Sequence, residues 1–308
     1  MIQRYRKILV SLNLTDLDPT VVAFANLVTQ LTQPDRVELV NVLNTRNLPA
    51  EVVEEYPALV DAGAESNEKR IRELVAEHIQ ASSTREVQLH VFRGTPVEEL
   101  VRHAKSEEID LIIVGRDPKK ERSGTLPERL AREAPCSVLV VPKGAEPAIR
   151  SILVPVDFSE HSAAAFERAV AFGKAAKIGA LSCLHVFDVP AGYGKAGKTY
   201  DEFTEIMKEH AEQAWRKFRR QLDPKGLEIR PLFRRAAFPS QAICDEAAEA
   251  EIDLVVMGAR GQSAKKNLFV GSVSQRVVNT THAPLLVVKS KRASAGLLDA
   301  LYGIMGSA

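Results

Sequence analysis

The stretch Ser151-Ile152-Leu153-Val154-Pro155-Val156-Asp157 decides the fold, because it repeats Lys7-Ile8-Leu9-Val10-Ser11-Leu12-Asn13 at an offset of 144 residues. Two further segments recur in the same order, namely Ile109-Asp110-Leu111-Ile112-Ile113-Val114-Gly115 with Ile252-Asp253-Leu254-Val255-Val256-Met257-Gly258 at an offset of 143, and Ala134-Pro135-Cys136-Ser137-Val138-Leu139-Val140-Val141 with Ala283-Pro284-Leu285-Leu286-Val287-Val288 at an offset of 149. Self-similarity that keeps its order over most of a chain indicates a duplicated domain.

The length agrees with this duplication, since 308 residues are enough for two domains of the common size, roughly 150 residues each. The polar stretch Lys143-Gly144-Ala145-Glu146-Pro147 carries Pro and Gly and suits a linker. We therefore predict an N-terminal domain over residues 1–145, a C-terminal domain over 146–292 and a tail over 293–308.

Charge and composition exclude several classes of protein. Lys and Arg total 41 and Asp and Glu total 40, and a net charge of +1 argues against a chain that coats nucleic acid or an anionic membrane. No apolar run approaches the roughly 20 residues of a membrane span, and the N-terminus lacks the features of a signal peptide.

Cys136, Cys183 and Cys244 lie far apart without CxxC spacing, so we predict core thiols in a reducing compartment, a cytoplasmic location and no metal site.

Within each copy, short apolar runs alternate with longer helical patterns. In the second copy the predicted strands are Ile152–Val156, Ala180–Phe187, Leu227–Phe233, Asp253–Met257 and Pro284–Val288, and the predicted helices among them are Ser159–Ala176, Thr199–Leu222 and Pro239–Ala250. The first copy follows the same plan, with Glu65–Ala81 as its long charged helix. Strands that are apolar on both faces indicate a parallel sheet covered by helices. Each copy is therefore predicted to be a doubly wound, five-stranded α/β domain of the Rossmann-like type.

The most specific motif follows the fourth strand of the second copy. Gly258-Ala259-Arg260-Gly261 is followed by nine residues and then by Gly271-Ser272, which gives the pattern G-x2-G-x9-G-[ST]. Glycines permit positive φ and let the backbone approach a ligand, and exposed N–H groups in such a loop can hold an anion. Ser272, Val273 and Ser274 open a helix whose N–H groups and dipole favour phosphate, and the two serines add hydroxyl donors.

Other side chains near this motif allow two interpretations each. Arg260, Lys265 and Lys266 could contact phosphate or belong to a solvated loop. Asp157, at the tip of the first strand, could accept hydrogen bonds from ribose hydroxyls or cap a helix. The loops that carry these groups should face each other across one crevice if the first strand lies at the centre of the sheet, where strand order reverses.

The second copy resembles the universal stress protein family, and the chain as a whole resembles a tandem member with two such domains. The residues that carry the resemblance are Val154-Pro155-Val156-Asp157, Leu184-His185-Val186, Asp253-Leu254-Val255-Val256-Met257-Gly258 and the glycine pattern through Gly271-Ser272. The resemblance implies an adenine nucleotide alpha hydrolase-like fold and binding of ATP, with ADP and AMP as alternatives and Mg²⁺ on the phosphates. The implied binding residues are Pro155, Val156, Asp157, Val186, Met257, Gly258, Gly261, Gly271, Ser272, Val273 and Ser274.

The first copy departs from the pattern at nearly every diagnostic position. Asn13 stands for Asp157, Pro118 stands for Gly261, and only five residues separate Pro118 from Gly124-Thr125. Proline has no N–H and a fixed φ, so a loop this short and stiff should not surround a triphosphate. We predict a structural first copy, with a residual site for a smaller anion at Gly124-Thr125 as the alternative.

Three functional classes stay open on the sequence. The leading prediction is a nucleotide-binding stress or regulatory protein, and the alternatives are a slow ATPase and a nucleotide-independent scaffold. The chain has no Walker lysine, paired carboxylates or Ser–His–Asp constellation at the predicted crevice. The nearby His161, His185 and His282 are more typical of structural histidines.

Two features concern association. The fifth strands, Ser137–Val141 and Pro284–Val288, are candidate sheet edges, and edges seek pairing. The family resemblance implies dimers that are joined through these strands. We therefore expect the two copies to pair as an intramolecular pseudo-dimer, and we also expect a homodimer. The tail places Leu297, Leu298, Leu301, Ile304 and Met305 near helical spacing, which predicts either a docked terminal helix or an anchor for a protein partner.

Overall fold

The computed structural model describes residues 5–45, 55–78, 86–119, 124–261 and 271–289. The chain divides into two compact units, with the division between Ala148 and Ile149, and each unit is described by itself. The nine residues 262–270 of the glycine motif, including Lys265 and Lys266, lie outside the described residues. So does the tail 293–308, and its predicted roles stay predictions.

The first unit alternates strand and helix. Its described elements are β1 (Lys7–Ser11), α1 (Asp18–Thr32), β2 (Arg36–Asn44), α2 (Pro57–His78), β3 (Glu86–Gly94), α3 (Pro96–Ser106), β4 (Leu111–Arg116), α4 (Leu126–Glu133) and β5 (Ser137–Pro142). Helix α2 begins at Pro57, earlier than the predicted start at Glu65. All pairings in this unit are parallel, in the order β3-β2-β1-β4-β5.

The second unit repeats this plan. Its described elements are β6 (Ile152–Pro155), α5 (Glu160–Ala175), β7 (Ala180–Phe187), a 3-10 turn (Tyr193–Ala196), α6 (Tyr200–Arg219), β8 (Glu228–Arg235), α7 (Pro239–Glu249), β9 (Leu254–Gly258), α8 (Ser272–Thr280) and β10 (Leu285–Val288). The strand order is β10-β9-β6-β7-β8, again parallel. Strand β8 extends two residues beyond its predicted end because its pairing with β7 continues to Arg235, opposite Phe187.

The predicted fold is confirmed: two tandem doubly wound α/β units, each with a five-stranded parallel sheet. The central strands β1, β4, β6 and β9 are buried almost throughout, as their continuous apolar sequences predict. The outer strands β3 and β8 are only partly buried. The pairing of the two copies as a pseudo-dimer stays a prediction.

Local sequence explains where several helices begin. Ser159 is the N-cap of α5, and its hydroxyl accepts the Ser162 N–H at 3.2 Å. Thr199 and Glu202 form a reciprocal capping box at the start of α6. Proline occupies the first turn of α3 and α7, where its missing N–H costs no intrahelical bond.

The repeated Ile-Asp-Leu segment has a structural role in both units. Asp253 precedes β9 and accepts the backbone N–H groups of Arg150 and Ser151 at 2.8 and 3.1 Å, just before β6 begins. Asp110 does the same in the first unit, for the N–H groups of Arg6 and Lys7. Burial raises the pKa of Asp253, but the hydrogen bonds from Arg150 and Ser151 outweigh it and leave the pKa below its ordinary value. The aspartates therefore fix the start of the central strand.

Within the part of the chain that the structure describes, no helix combines the length and the apolar character that crossing a bilayer requires. The three cysteines are thiols: Cys136 and Cys183 are buried and Cys244 is half-buried. Burial raises the pKa of Cys183 to about 12, so this thiol is inert at neutral pH.

Replacing Asp253 with alanine should destabilise the second unit. The substitution leaves two backbone N–H groups without their acceptor, and we expect a loss of about 1–3 kcal/mol in the free energy of unfolding. Trp215 is the chain's single tryptophan and lies in α6, so its fluorescence during urea unfolding reports on this unit. Glu209→Ala, on an exposed position of the same helix, is the control, and equal urea midpoints for both variants would contradict the role assigned to Asp253.

Candidate functional site

The strand order of the second unit creates one crevice at the carboxyl edge of the sheet. Strand β6 lies between β7 and β9, and the chain leaves β6 and β9 on loops that are neighbours at this edge. Strand order reverses here, which is where open parallel sheets bind ligands. The predicted central position of the first strand is confirmed, and the crevice collects the residues that follow these strands.

Asp157 joins the two loops of the crevice. Its Oδ1 accepts the Ser159 hydroxyl at 2.6 Å and the Ser159 N–H at 3.1 Å. A Cβ built on Gly261 would lie 2.4 Å from Asp157 Oδ2, so the carboxylate reaches the loop after β9. The alternative prediction that Asp157 caps a helix is wrong, because Ser159 is the N-cap of α5. The position of Ser159 in the sequence indicates only a helix cap, and it does not predict the hydrogen bonds from Ser159 to Asp157.

Val186 presents its backbone to the same crevice. Leu184 C=O accepts the Val156 N–H on the β6 side at 2.8 Å, whereas Phe187 C=O accepts the Ala236 N–H on the β8 side at 2.9 Å. Backbone groups of successive strand residues point to opposite sides, so the N–H and C=O of Val186 face the β6 side. Strand β6 ends at Pro155, opposite Leu184, and leaves that side of Val186 beyond the ladder.

An aromatic pair borders the crevice. The rings of Phe158 and His185 stack with their centroids 4.3 Å apart, and the Nδ1–H of His185 donates to Val156 C=O at 2.9 Å. Phe158 adopts a φ of 65°, which is rare for a bulky residue and holds the ring in this position. Leu14, the equivalent residue of the first unit, shares the left-handed backbone with a φ of 56°.

Helix α8 begins at the far wall of the crevice. Its N-cap is Gly271, and no side chain caps the helix among the residues described. The first N–H groups of a helix have no intrahelical acceptor, so those of Ser272, Val273 and Ser274 are directed out of the helix start. The Ser274 hydroxyl is buried and donates to Gly258 C=O at 2.9 Å. The Ser274 hydroxyl is therefore used within the protein. The prediction of a hydroxyl that contacts a ligand remains for Ser272, which is exposed.

The predicted site residues differ in exposure. Pro155, Val156, Met257, Gly258 and Ser274 are buried, Asp157, Val186, Gly261, Gly271 and Val273 are half-buried, and Ser272 is exposed. None of the three motif glycines has a positive φ, so the prediction of left-handed backbone is wrong at these positions. The other predicted reason for glycine, a close approach of the backbone to a neighbouring group, remains.

The glycines differ in what requires them. A Cβ on Gly258 would lie 2.8 Å from the carbonyl oxygen of His161 in α5, and one on Gly115 of the first unit would lie 2.7 Å from Val21 in α1. Both units therefore need glycine at the end of the fourth strand for helix packing. A Cβ on Gly271 would meet no described atom closer than 3.7 Å, an ordinary contact. Packing of the described chain therefore does not demand glycine at position 271.

In the first unit, two carboxylates accept backbone N–H groups in the loops that correspond to the crevice loops of the second unit. Asp18 accepts the N–H groups of Asn13 and Leu14 at 3.2 and 2.7 Å, in the loop after β1. Glu128 accepts the N–H of Gly124 at 2.8 Å, at the start of α4. Both carboxylates are buried, and burial raises the pKa of Asp18 above its ordinary value despite the hydrogen bonds. At the predicted site for a smaller anion, the Gly124 N–H therefore already donates to Glu128.

The model of the universal stress protein family matches the chain twice, over residues 4–142 and 148–289. The chain belongs to the universal stress protein family. Universal stress protein MJ0577 of Methanocaldococcus jannaschii is 27% identical over 159 residues, which cover 47% of this chain and 97% of that protein. A universal stress protein of Thermus aquaticus is 32% identical over 142 residues, which cover 46% of this chain and 98% of that protein.

A solved structure extends the likeness to both copies. The crystal structure of a universal stress protein from Archaeoglobus fulgidus covers 93% of this chain and 97% of its own, with a TM-score of 0.62 and 18% identity. At this identity the likeness shows the fold alone. The two copies are therefore tandem universal stress protein domains, and their different crevices are properties of this chain.

The histidines beside the second crevice are held in the neutral form. Burial lowers the pKa of His185, against the opposing effects of the Val156 carbonyl and the Asp157 carboxylate. Burial also lowers the pKa of His161, and the charge of Arg260 lowers it further. Arg260 is thus close enough to act electrostatically on the start of α5, which places a positive charge beside the crevice.

Alanine at Gly258 should lower the stability of the second unit much more than alanine at Gly271. Gly258→Ala forces a Cβ against the α5 backbone, and we expect a loss of about 1–3 kcal/mol in the free energy of unfolding. Gly271→Ala introduces no close contact with described atoms, and its effect should stay below about 1 kcal/mol. Urea unfolding followed by Trp215 fluorescence measures both, and a large loss for Gly271→Ala would show that packing requires that glycine.

The stability of the second unit should fall on acidification. A histidine whose folded pKa is below its unfolded value binds fewer protons when folded, so its stabilising effect is complete above the ordinary value of 6.5 and declines as the pH falls below it. The urea midpoint should therefore be lower at about pH 5.5 than at about pH 7.5, and the decrease should be smaller in His185→Gln. An identical decrease in the variant would exclude His185 as a source.

Proposed function

We propose that the second unit binds ATP, with Mg²⁺ on its phosphates, and that the chain is a nucleotide-binding stress or regulatory protein whose first unit is structural. ADP and AMP are the alternative resident ligands. The observation that carries this proposal is the convergence of Asp157, the Val186 backbone and the start of α8 on one crevice of the second unit.

The start of α8 supports the phosphate part of the proposal. Helix N-termini attract anions through their N–H groups and their dipole, and here no described side chain competes as a cap. Gly271 leaves room for a phosphate to approach the backbone. The exposed Ser272 hydroxyl can donate to the same group, and Arg260 adds a positive charge near the opposite wall.

The other wall supports the nucleoside part of the proposal. Acidic residues at strand ends accept hydrogen bonds from ribose hydroxyls in other doubly wound sites, and Asp157 is held for this by Ser159. The Val186 N–H and C=O would supply one donor and one acceptor to the edge of an adenine. Pro155, Met257 and Gly258 would form the floor beneath the sugar and phosphates.

The first unit is not expected to bind a second nucleotide. Glu128 already accepts the Gly124 N–H at the start of α4, and Asp18 accepts the N–H groups of Asn13 and Leu14 in the loop after β1. The negative charge of these carboxylates would also repel phosphates. One nucleotide per chain is therefore the expected stoichiometry.

The same crevice does not favour catalysis. His185 uses its Nδ1–H on Val156 C=O, and burial keeps the pKa values of His161 and His185 low. A base held in that way has no described carboxylate partner that would orient it toward a bound phosphate. We therefore propose that ATP occupancy acts on conformation or on partners, and phosphate release from the pure protein tests for slow hydrolysis.

The test is titration calorimetry of the full chain with ATP and Mg²⁺. We expect one site per chain, and we expect Asp157→Ala and Gly271→Ala each to weaken binding at least about tenfold, or about 1.4 kcal/mol. Asn13→Ala changes the equivalent residue of the first unit and is the matched control. No heat of binding, or weakening by Asn13→Ala alone, would refute the proposal.

A cytoplasmic location and a homodimer belong to the same proposal. Thiols that are buried, such as Cys136 and Cys183, suit a reducing compartment. Fractionation of the cells that make the protein would test its location. Its mass in solution would test the dimer.

A further inference from the structure

Three ligand-bearing side chains meet in the first unit, away from the crevice described above. Glu38 lies on β2, His90 on β3 and His103 on α3, and one ligand atom from each lies within 4.8 Å of the other two. His103 Nε2 contacts Glu38 Oε2 directly, and His90 Nε2 lies 3.7 Å from the same oxygen. The two imidazole centroids are 5.2 Å apart.

The strand register explains why these residues meet. In the parallel pairing of β2 with β3, Glu38 lies opposite Gln88 and Val40 lies opposite His90. Residues two apart on a strand share a face, so Glu38 and His90 point to the same side of the sheet. Helix α3 packs against both strands and supplies His103 from above.

Burial of the Glu38 carboxylate is energetically unfavourable. Its side chain is 1% exposed, and a buried carboxylate needs compensation by opposite charge and hydrogen bonds. Arg36 Nε lies 2.9 Å from Glu38 Oε1, but the angle is poor, and neither atom has a hydrogen-bond partner among the residues described. The ion pair therefore leaves the carboxylate only partly satisfied.

The second unit shows that the fold does not require this cluster. Ser182 lies opposite Arg230 as Glu38 lies opposite Gln88, so Leu232 corresponds to His90. Helices α3 and α7 both begin at a proline, and the same count places Glu246 at the position of His103. Serine, leucine and glutamate build the same sheet and helix, with Glu246 paired to Arg234 at 3.2 Å.

We propose that Glu38, His90 and His103 bind a zinc ion. Two imidazole nitrogens and one carboxylate oxygen are a donor set that zinc takes in tetrahedral sites, with water as the fourth ligand. His90 is 31% exposed in its side chain, which gives the ion and the water access. Arg36 beside Oε1 would orient the carboxylate, as outer partners of metal ligands do.

Binding requires a small rearrangement with a definite proton balance. Zinc takes the unprotonated nitrogen of a neutral imidazole, so the proton between His103 Nε2 and Glu38 Oε2 moves to Nδ1 of the same ring. His90 Nε2 faces Gln88 Oε1 at 3.2 Å, and its proton moves to Nδ1 in the same way, so that both nitrogens and Glu38 Oε2 can face the ion. The two rings need only turn about their side-chain bonds, because all three ligand atoms already lie within 4.8 Å.

The test uses the full chain without a polyhistidine tag, stripped with a chelator and then dialysed against zinc. We expect one zinc per chain, and a loss of affinity of at least about tenfold in His90→Ala and in His103→Ala. His210→Ala, on an exposed position of α6, is the matched control. Gly271→Ala should bind zinc like the wild type, which separates this proposal from nucleotide binding.

Cobalt supplies a readout that does not depend on those variants. Co²⁺ added to the wild-type chain should give the intense visible absorption of a tetrahedral site, and zinc should abolish it. Glu38→Gln keeps the shape of the side chain and should lose that spectrum. Absence of zinc binding by the wild type, or unchanged binding in a folded His90→Ala, would overturn the proposal and leave a structural ion pair of Glu38 with Arg36 and His103.

Discussion

The parallel pairing of the first strand with the fourth is the constraint on which the rest of each unit depends. In the second unit it brings β6 beside β9, so that two segments far apart in the chain end at the same edge of the sheet. Asp157 can then reach Gly261, and α8 can start opposite both. Asp253 reinforces the arrangement because it holds the backbone before β6 at the start of β9. The crevice follows from the order of the strands, and its chemistry follows from the loops.

The duplication separates what the fold needs from what a ligand would need. Asp110 and Asp253 are kept in both units because each ties the central strand to its neighbour. Gly115 and Gly258 are kept because a helix packs too closely to admit a Cβ. Gly261, by contrast, is replaced by Pro118 in the first unit, and that unit folds on the same plan. The shared aspartates and glycines therefore serve the fold, whereas the fold does not require glycine at the position of Gly261.

The first unit has the same fold as the second, but its crevice loops make different contacts. Asp18 and Glu128 place carboxylates against the N–H groups at its two loops, and each is buried. The N–H groups of Asn13, Leu14 and Gly124 thereby have acceptors within the unit. A second polar cluster, around Glu38, lies on the sheet face under α3, where the described residues of the second unit include an ion pair of Glu246 with Arg234 instead. The two copies have diverged at different places on one framework.

The sequence by itself determined the two domains, the alternation of strand and helix, the parallel sheets and the position of the glycine motif, because these follow from order and local periodicity. Only the tertiary structure decided which contacts the motif residues make. It assigned the Ser274 hydroxyl to Gly258 C=O and the Ser159 hydroxyl to the Asp157 carboxylate. It also brought Glu38 together with histidines from another strand and a helix. Such contacts depend on register and on which face of the sheet each helix covers, and neither is encoded in the spacing of residues along the chain.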